Sequence, residues 1–376
     1  MERNKIELAE FKDLLLSRSL TRRQIHKILA SVGVGVATVP VMQRRVAADT
    51  SIQVFTWTVY ALPELYGDYI AAYGEPEIAI FGENEESLTK VRAGFVPTLA
   101  QPASFMVGRF RDSGFLKPID TSRIPNYADV LPALTAVQGL SVDGAVYAVP
   151  AAWGYNSVLY RKDLAPEYVE NETLEILWDP KYAGRLGQEG SMDSAVIQVA
   201  AMLGIEDPFH MNDADLERIR EKLIEQRPLL RFYWSNDTDM QQAVAAGEVV
   251  ASFSWNSSYA SLKREGIDVG FMAPKEGVLA WVDTTVLLKD GPGDEQEALD
   301  FINAFISLES GKFIMENQGF GAVNAKAYEI ADPDVLVAYG LDDPMKVLAG
   351  GNFYHEFDPT VREKAVFMFE QVMAGY

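Results

Sequence analysis

Trp281 and Asp283 stand two positions apart in an apolar run, 279–288, whose residue types suit a β-strand. Side chains two apart on a strand share one face, so this pair can offer a single ligand an aromatic surface and a carboxylate. That combination suits an alkylammonium group. A cation over an aromatic face gains about 0.5–2 kcal/mol, and the carboxylate accepts a charge-assisted hydrogen bond. Other aromatic residues sit at the ends of predicted strands, where open α/β sheets hold ligands. They are Trp57 and Tyr60 in Thr56-Trp57-Thr58-Val59-Tyr60, Phe105 after Pro102-Ala103-Ser104, Trp153 before Gly154, and Trp255 after the run 249–254. Taken singly, each is an ordinary core residue. Their shared placement is what points to a ligand.

Catalytic chemistry has little support. The 376 residues include no cysteine, which removes disulfides, thiolate metal sites and cysteine nucleophiles together. Of the three histidines, His26 lies in the N-terminal segment discussed below, and neither His210 nor His355 has a nucleophile elbow or a second histidine at metalloprotease spacing. No glycine-rich phosphate loop occurs. No catalytic residue, metal ligand or cofactor is therefore assigned. A pair of carboxylates for glycoside hydrolysis stays open as an alternative, because 54 acidic residues always supply suggestive pairs.

The elements that must position these residues alternate. Strands are expected over 51–57 and 77–81, with a helix opened by Pro63 and carrying Leu65, Tyr66, Tyr69, Ile70 and Tyr73, and another over 85–93. Residues 146–150 and 157–161 read as two strands flanking Trp153-Gly154, a crossing into a second domain. Helices follow over 194–203 and 213–226, the latter capped by Asp213 with Leu216, Ile219, Leu223 and Ile224 on one face. A strand at 230–234, a helix at 239–246 and a strand at 249–254 continue the pattern, and 279–288 can return the chain to the first domain. Helices at 295–307 and 361–373 complete the layers. Such alternation gives sheets covered by helices.

The first 48 residues read differently. Arg22-Arg23 precede fifteen uncharged residues, 28–42, and Val46-Ala47-Ala48 follow, the basic, apolar and small-residue order of an export signal. Paired arginines before a weakly apolar run too short to span a bilayer resemble a twin-arginine signal. This predicts delivery to the periplasm with cleavage after Ala48. The segment holds nine of the 33 basic residues and four of the 54 acidic ones, so the rest of the chain is more acidic than the overall net charge of −21. An acidic field repels nucleic acid and anionic membranes and attracts cations. No later segment reads as a membrane span.

From about Ile52 to Tyr376 the sequence resembles the periplasmic spermidine/putrescine-binding proteins of ABC importers. The resemblance runs through Trp57-Thr58-Val59-Tyr60, Pro102 to Phe105 with Gly114-Phe115-Leu116-Lys117-Pro118-Ile119-Asp120, Val149-Pro150-Ala151-Ala152-Trp153-Gly154, Trp255-Asn256, Pro274-Lys275-Glu276-Gly277 through Trp281-Val282-Asp283, and Gln318-Gly319-Phe320 to Asn324. It implies a two-lobed α/β periplasmic-binding-protein fold of type II, each lobe a mainly parallel sheet flanked by helices, with ligand in the cleft. Residues 49–154 and 282–330 would form lobe 1, and 155–281 and 331–376 lobe 2. The implied ligand residues are Trp57, Tyr60, Ser104, Phe105, Trp153, Asp193, Trp255, Trp281, Asp283 and Phe320. Asp283 would hold an amine while the aromatics clasp a methylene chain. Val59 stands where the family often has an acid, Phe105 replaces a tyrosine, and the acidic cluster of the second lobe shrinks to Met192-Asp193-Ser194. Fewer buried acids leave fewer partners for ammonium groups, so a diamine, a monoamine or an amino-acid-like cation fits better than a triamine. The implied function is capture of a polyamine or related cation for the importer's permease subunits, without catalysis. Another small solute on the same fold, an amino-acid-like compound, sugar or anion, is the alternative.

Overall fold

The structure, a computed structural model, describes residues 51–350 and 352–376. The expected export segment, residues 1–48, lies outside the described residues. Twelve strands occur in chain order: β1 (Gln53–Thr56), β2 (Glu77–Ile80), β3 (Leu99–Ala100), β4 (Ser141–Val142), β5 (Ala145–Val146), β6 (Ala148–Arg161), β7 (Leu186–Glu189), β8 (Leu230–Trp234), β9 (Ala251–Trp255), β10 (Val269–Phe271), β11 (Leu279–Leu287) and β12 (Asn352–Phe353). Apart from the β4–β5 ribbon they form one path, β2-β1-β3-β11-β6-β9-β7-β8, with β10 beside β6 and β12 beside β11.

The two expected strands around Trp153-Gly154 are one. β6 runs unbroken for 14 residues and is buried along almost its whole length. Its first half pairs with β11 and its second half with β9 and β10, all antiparallel. β1 pairs in parallel with β2 and β3, and β7 in parallel with β8 and β9. Two parallel sheets are thus joined through a pair of long antiparallel strands, giving the two lobes. The β6–β11 register slips where Asp283 faces Ala152 and Thr284 faces Pro150. Proline has no N–H to give a ladder, so the slip falls at a residue that tolerates it.

Each lobe has its own core. Val54 and Phe55 of β1, Leu99 of β3 and Val149 of β6 pack with Phe301 and Phe305 from the helix Glu295–Phe305. Val158 and Tyr160 of β6 pack with Leu186, Ile219, Leu223 and Phe369, whereas Leu159 between them faces Trp234, Met240 and Val244. That is the period-two alternation of a strand covered on both faces. Leu336, Tyr339, Leu341 and Leu348, from the segment expected in lobe 2, pack into the first core.

Local details depart from the sequence pattern for identifiable reasons. In the helix Asp213–Gln226 the cap is Asn212, whose side chain accepts from the backbone N–H groups of Ala214 and Asp215. Asp213 is instead a first-turn acid, favourable to the helix dipole. Leu216, Ile219 and Leu223 are buried but Ile224 is exposed, because the contact stripe is narrower than the apolar pattern. The helix expected from Pro63 divides into a 3₁₀ turn, Pro63–Leu65, and a helix, Gly67–Tyr73, at Tyr66, where the backbone leaves the helical region.

Trp153 shows how tightly the crossing is built. It is fully buried, its indole N–H donates to the Ala322 carbonyl at 2.9 Å, and its backbone exchanges two hydrogen bonds with Gly321. A β-carbon on Gly321 would lie 2.0 Å from the indole. We therefore expect Gly321→Ala to cost about 1–3 kcal/mol of stability by overpacking, read as a lower urea midpoint; an unchanged midpoint would contradict this packing.

Candidate functional site

Asp283 lies at the β11 slip, where the backbone of residues 101–104 leans on the strand. Ala103 forms a bridge with Asp283, and Thr284 donates through its N–H and its hydroxyl to the Pro102 carbonyl, at 3.0 and 2.8 Å. Ser104 and Phe105 follow at the start of the turn Ser104–Met106, Ser104 buried and Phe105 half-buried. From the end of β1, the turn Thr58–Tyr60 swings the buried Tyr60 inward, and its phenol donates to Asp283 Oδ2 at 2.7 Å. Asp283 is half-buried, with its carboxyl closely surrounded by protein. That surrounding pushes its pKa up to about 7, against the opposing pull of the Tyr60 hydrogen bond. Tyr60 is itself pushed well up by burial and by the carboxylate beside it.

Trp281 stands on the same face of β11, opposite Gly154 of β6. A β-carbon on Gly154 would come within 2.3 Å of the indole, so glycine there lets the ring lie flat across the strand. Phe320 meets Trp281 edge to face, with ring centroids 5.0 Å apart. Trp281 and Phe105 are the two cleft aromatics of the expected set that pack against both lobe cores. Phe105 reaches Tyr354, which follows β12, at 6.0 Å between centroids.

A second acidic centre faces the cleft from the other lobe. Glu189 ends β7, and Ser194 in the first turn of the helix Met192–Met202 donates to it at 2.5 Å. Burial pushes Glu189 up to about 7; the Ser194 hydrogen bond opposes this, the neighbouring Asp193 and Glu83 add to it, and the Trp255 indole lowers it. Asp193 is pushed up to about 6 by burial, with Arg362 and Arg109 pulling down and Glu85 and Glu83 pushing up. Asn156 of β6 bridges to the same centre, donating to Ser194 at 3.1 Å and Tyr354 at 3.4 Å. Its Oδ1 is buried without a hydrogen-bond partner among the described residues. Buried acceptors are normally paired, so this one is available to a ligand N–H.

The expected set therefore divides. Tyr60, Ser104, Phe105, Trp281, Asp283 and Phe320 cluster around β11, while Asp193 and Trp255 belong to the Glu189 centre. Trp57 is half-buried at the end of β1, edge-on to Phe81 at 4.5 Å, with its indole N–H unpaired among the described residues. Trp153, expected as a ligand contact, is instead a core residue whose N–H is already used. Glu189, Asn156 and Tyr354 were not anticipated. Glu189 could have been found as an acid ending a strand, but Leu186-Gly187-Gln188-Glu189 carries no β-branched residue and does not read as one.

Comparison with known proteins follows the same lines. The profile of the bacterial extracellular solute-binding proteins matches residues 83–339, well over half the chain. The chain belongs to this family. Among relatives, the putrescine/agmatine-binding protein of Pseudomonas aeruginosa is 27% identical over 275 residues, 66% of this chain and 72% of its own. The spermidine/putrescine-binding periplasmic protein of Escherichia coli is 22% identical, with 76% of this chain and 81% of its own covered. The spermidine/putrescine ABC transporter substrate-binding protein of Streptococcus pneumoniae superposes with a TM-score of 0.74 at 20% identity, covering 87% of this chain and 99% of its own. The last establishes the two-lobed periplasmic-binding-protein fold for this solute-binding protein. Among the described residues no helix is long and apolar enough to cross a membrane.

The raised carboxyl pKa values have a thermodynamic consequence. Native Asp283 keeps its proton up to about pH 7, while the unfolded chain loses it in the ordinary range near pH 4. Between those values the native state binds more protons, so this group's contribution to stability falls as pH rises through that window. Asp283→Asn removes the contribution. Its stability relative to the parent protein, measured by urea unfolding, is expected to rise from about pH 5 to about pH 8; a pH-independent difference would contradict the buried, uncompensated carboxylate.

Proposed function

We propose that this solute-binding protein captures a short polyamine or related organic cation and closes around it. The observation that carries the reading is a pair of acids, Asp283 and Glu189, raised by burial on two sides of one aromatic-walled cleft. Among the described residues neither forms an ion pair with Lys, Arg or His. A buried charge is costly unless paired, so a cleft with two such acids favours a ligand that brings two positive charges. Trp57, Trp255, Trp281, Phe105 and Phe320 supply faces for the methylene chain and cation-π contact, and the free Asn156 oxygen can accept an ammonium hydrogen. Ser104, next to Ala103 at Asp283, and Asp193, next to Ser194 at Glu189, border the same cleft.

The similarity to the putrescine/agmatine-binding protein of Pseudomonas aeruginosa and the spermidine/putrescine-binding protein of Escherichia coli supports a polyamine ligand. It also supports binding rather than turnover, and delivery from the periplasm to the permease subunits of an ABC importer. The twin-arginine-like N-terminus supplies the route there. Residues 49–154 with 282–330, and 155–281 with 331–376, are taken as the lobes, with 331–350 packed on the first; closure on ligand is a population shift between open and closed lobes.

A thermal-shift panel of putrescine, spermidine, agmatine, amino acids, sugars and small anions tests this, because a ligand that binds only the folded state raises its melting temperature. The expected result is a rise with diamines that is lost in Asp283→Ala and reduced in Glu189→Ala, each weakening binding by about tenfold or more. A shift with sugars or anions alone would overturn the polyamine reading.

A further inference from the structure

The far rim of the cleft, beside Asp193, is built from charges of both signs. Arg109, in the helix Val107–Asp112, forks onto Glu85 in the helix Asn84–Arg92, with one hydrogen bond of 3.0 Å and a second, shorter one through Oε1. Arg362, in the helix Pro359–Ala374 on the opposite lobe, reaches Glu85 Oε1 at 3.1 Å. Glu356, just before that helix, approaches Arg109 at 3.9 Å. These four side chains, with Asp193, Phe105 and Tyr354, line a cavity of about 20 Å³. A space of that size holds one water and no aminoalkyl arm.

The three cleft acids are therefore not equivalent. Among the described residues Asp283 and Glu189 have no arginine or lysine beside them, whereas Asp193 shares its cavity with Arg109 and Arg362, whose pull on it is opposed by Glu85 and Glu83. We propose that Arg109 and Arg362 are specificity-determining residues: as built-in cations beside Asp193 they fill the position a third ammonium would need, so the cleft selects diamines over triamines. The proposal rests on the polyamine reading above and refines it. Two like charges a few ångströms apart repel, and Glu85 holds both arginines while Glu356 also holds Arg109, which keeps them from swinging away to make room.

The test is calorimetric titration of the exported form of the protein with putrescine, spermidine and γ-aminobutyrate, for the parent and for Arg109→Gln, Arg362→Gln and Arg362→Lys, each checked for an intact thermal transition. The parent should bind putrescine about tenfold or more tighter than spermidine. Arg362→Gln and Arg109→Gln should shrink that ratio to about threefold or less by gaining spermidine affinity, while Arg362→Lys, which retains the charge, should preserve it. Equal binding of both amines by the parent, a ratio unmoved by either glutamine, or a uniform loss of all amines would overturn the proposal while leaving the polyamine site standing. Tighter binding of γ-aminobutyrate than putrescine would overturn it differently, by making the arginines carboxylate receptors. Failure of every amine to bind the parent would remove the polyamine reading itself.

Discussion

β6 and β11 must serve two cores at once, and the rest of the molecule is arranged around that constraint. As an antiparallel pair they carry the chain between lobes, so the residues at their midpoint are held by both lobes and belong wholly to neither. Pro150 and the slipped register at Asp283 fall at this midpoint, as do Gly154, which allows Trp281 to lie across the strand, and Trp153, which pins the crossing to the 321–322 backbone. A charge placed there is surrounded by protein while remaining next to the space between the lobes. The strands that join the two lobes are thus the same ones that bury Asp283 and raise its pKa.

Electrostatics then divides the cleft. Among the described residues one end has Asp283 with only a phenol to satisfy it, and the other has Glu189 with a serine hydroxyl and an indole. Neutral donors orient a carboxylate but do not cancel its charge, and the two sites stay prepared for a cation. At the rim, Arg109 pairs with Glu85 and Glu356, and Arg362 pairs with Glu85 from the opposite lobe. Such exposed pairs add little to stability. Their position across the lobe boundary is what the proposed selectivity for diamines relies on.

Much of the arrangement was legible in the sequence because it rests on period-two and helical patterns. The 279–288 strand, the strand-end aromatics and the Trp281–Asp283 pair are cases in which neighbours in sequence share a face. What stayed hidden depends on contacts between distant segments. Trp153 looked like a cleft residue because its position in the chain is central, yet Gly321 and Ala322 fold over it from 168 and more residues away. The uninterrupted β6 was concealed by Pro150 and Gly154, both unfavourable in an isolated strand and both accommodated here by the slip and by the indole. Glu189 was hidden by a short polar strand, and the arginines of the rim by lying on exposed helices where sequence alone gives no sign of a partner across a cleft.

Capture of a cation by this cleft requires carboxyl groups that stay partly protonated until the cation arrives. Calorimetric titration with putrescine near pH 7, repeated in two buffers of different ionisation enthalpy, measures the protons released on binding. With Asp283 and Glu189 both near pKa 7, the account predicts release of about one proton per ligand. Binding with no net proton release, or with uptake, would contradict it.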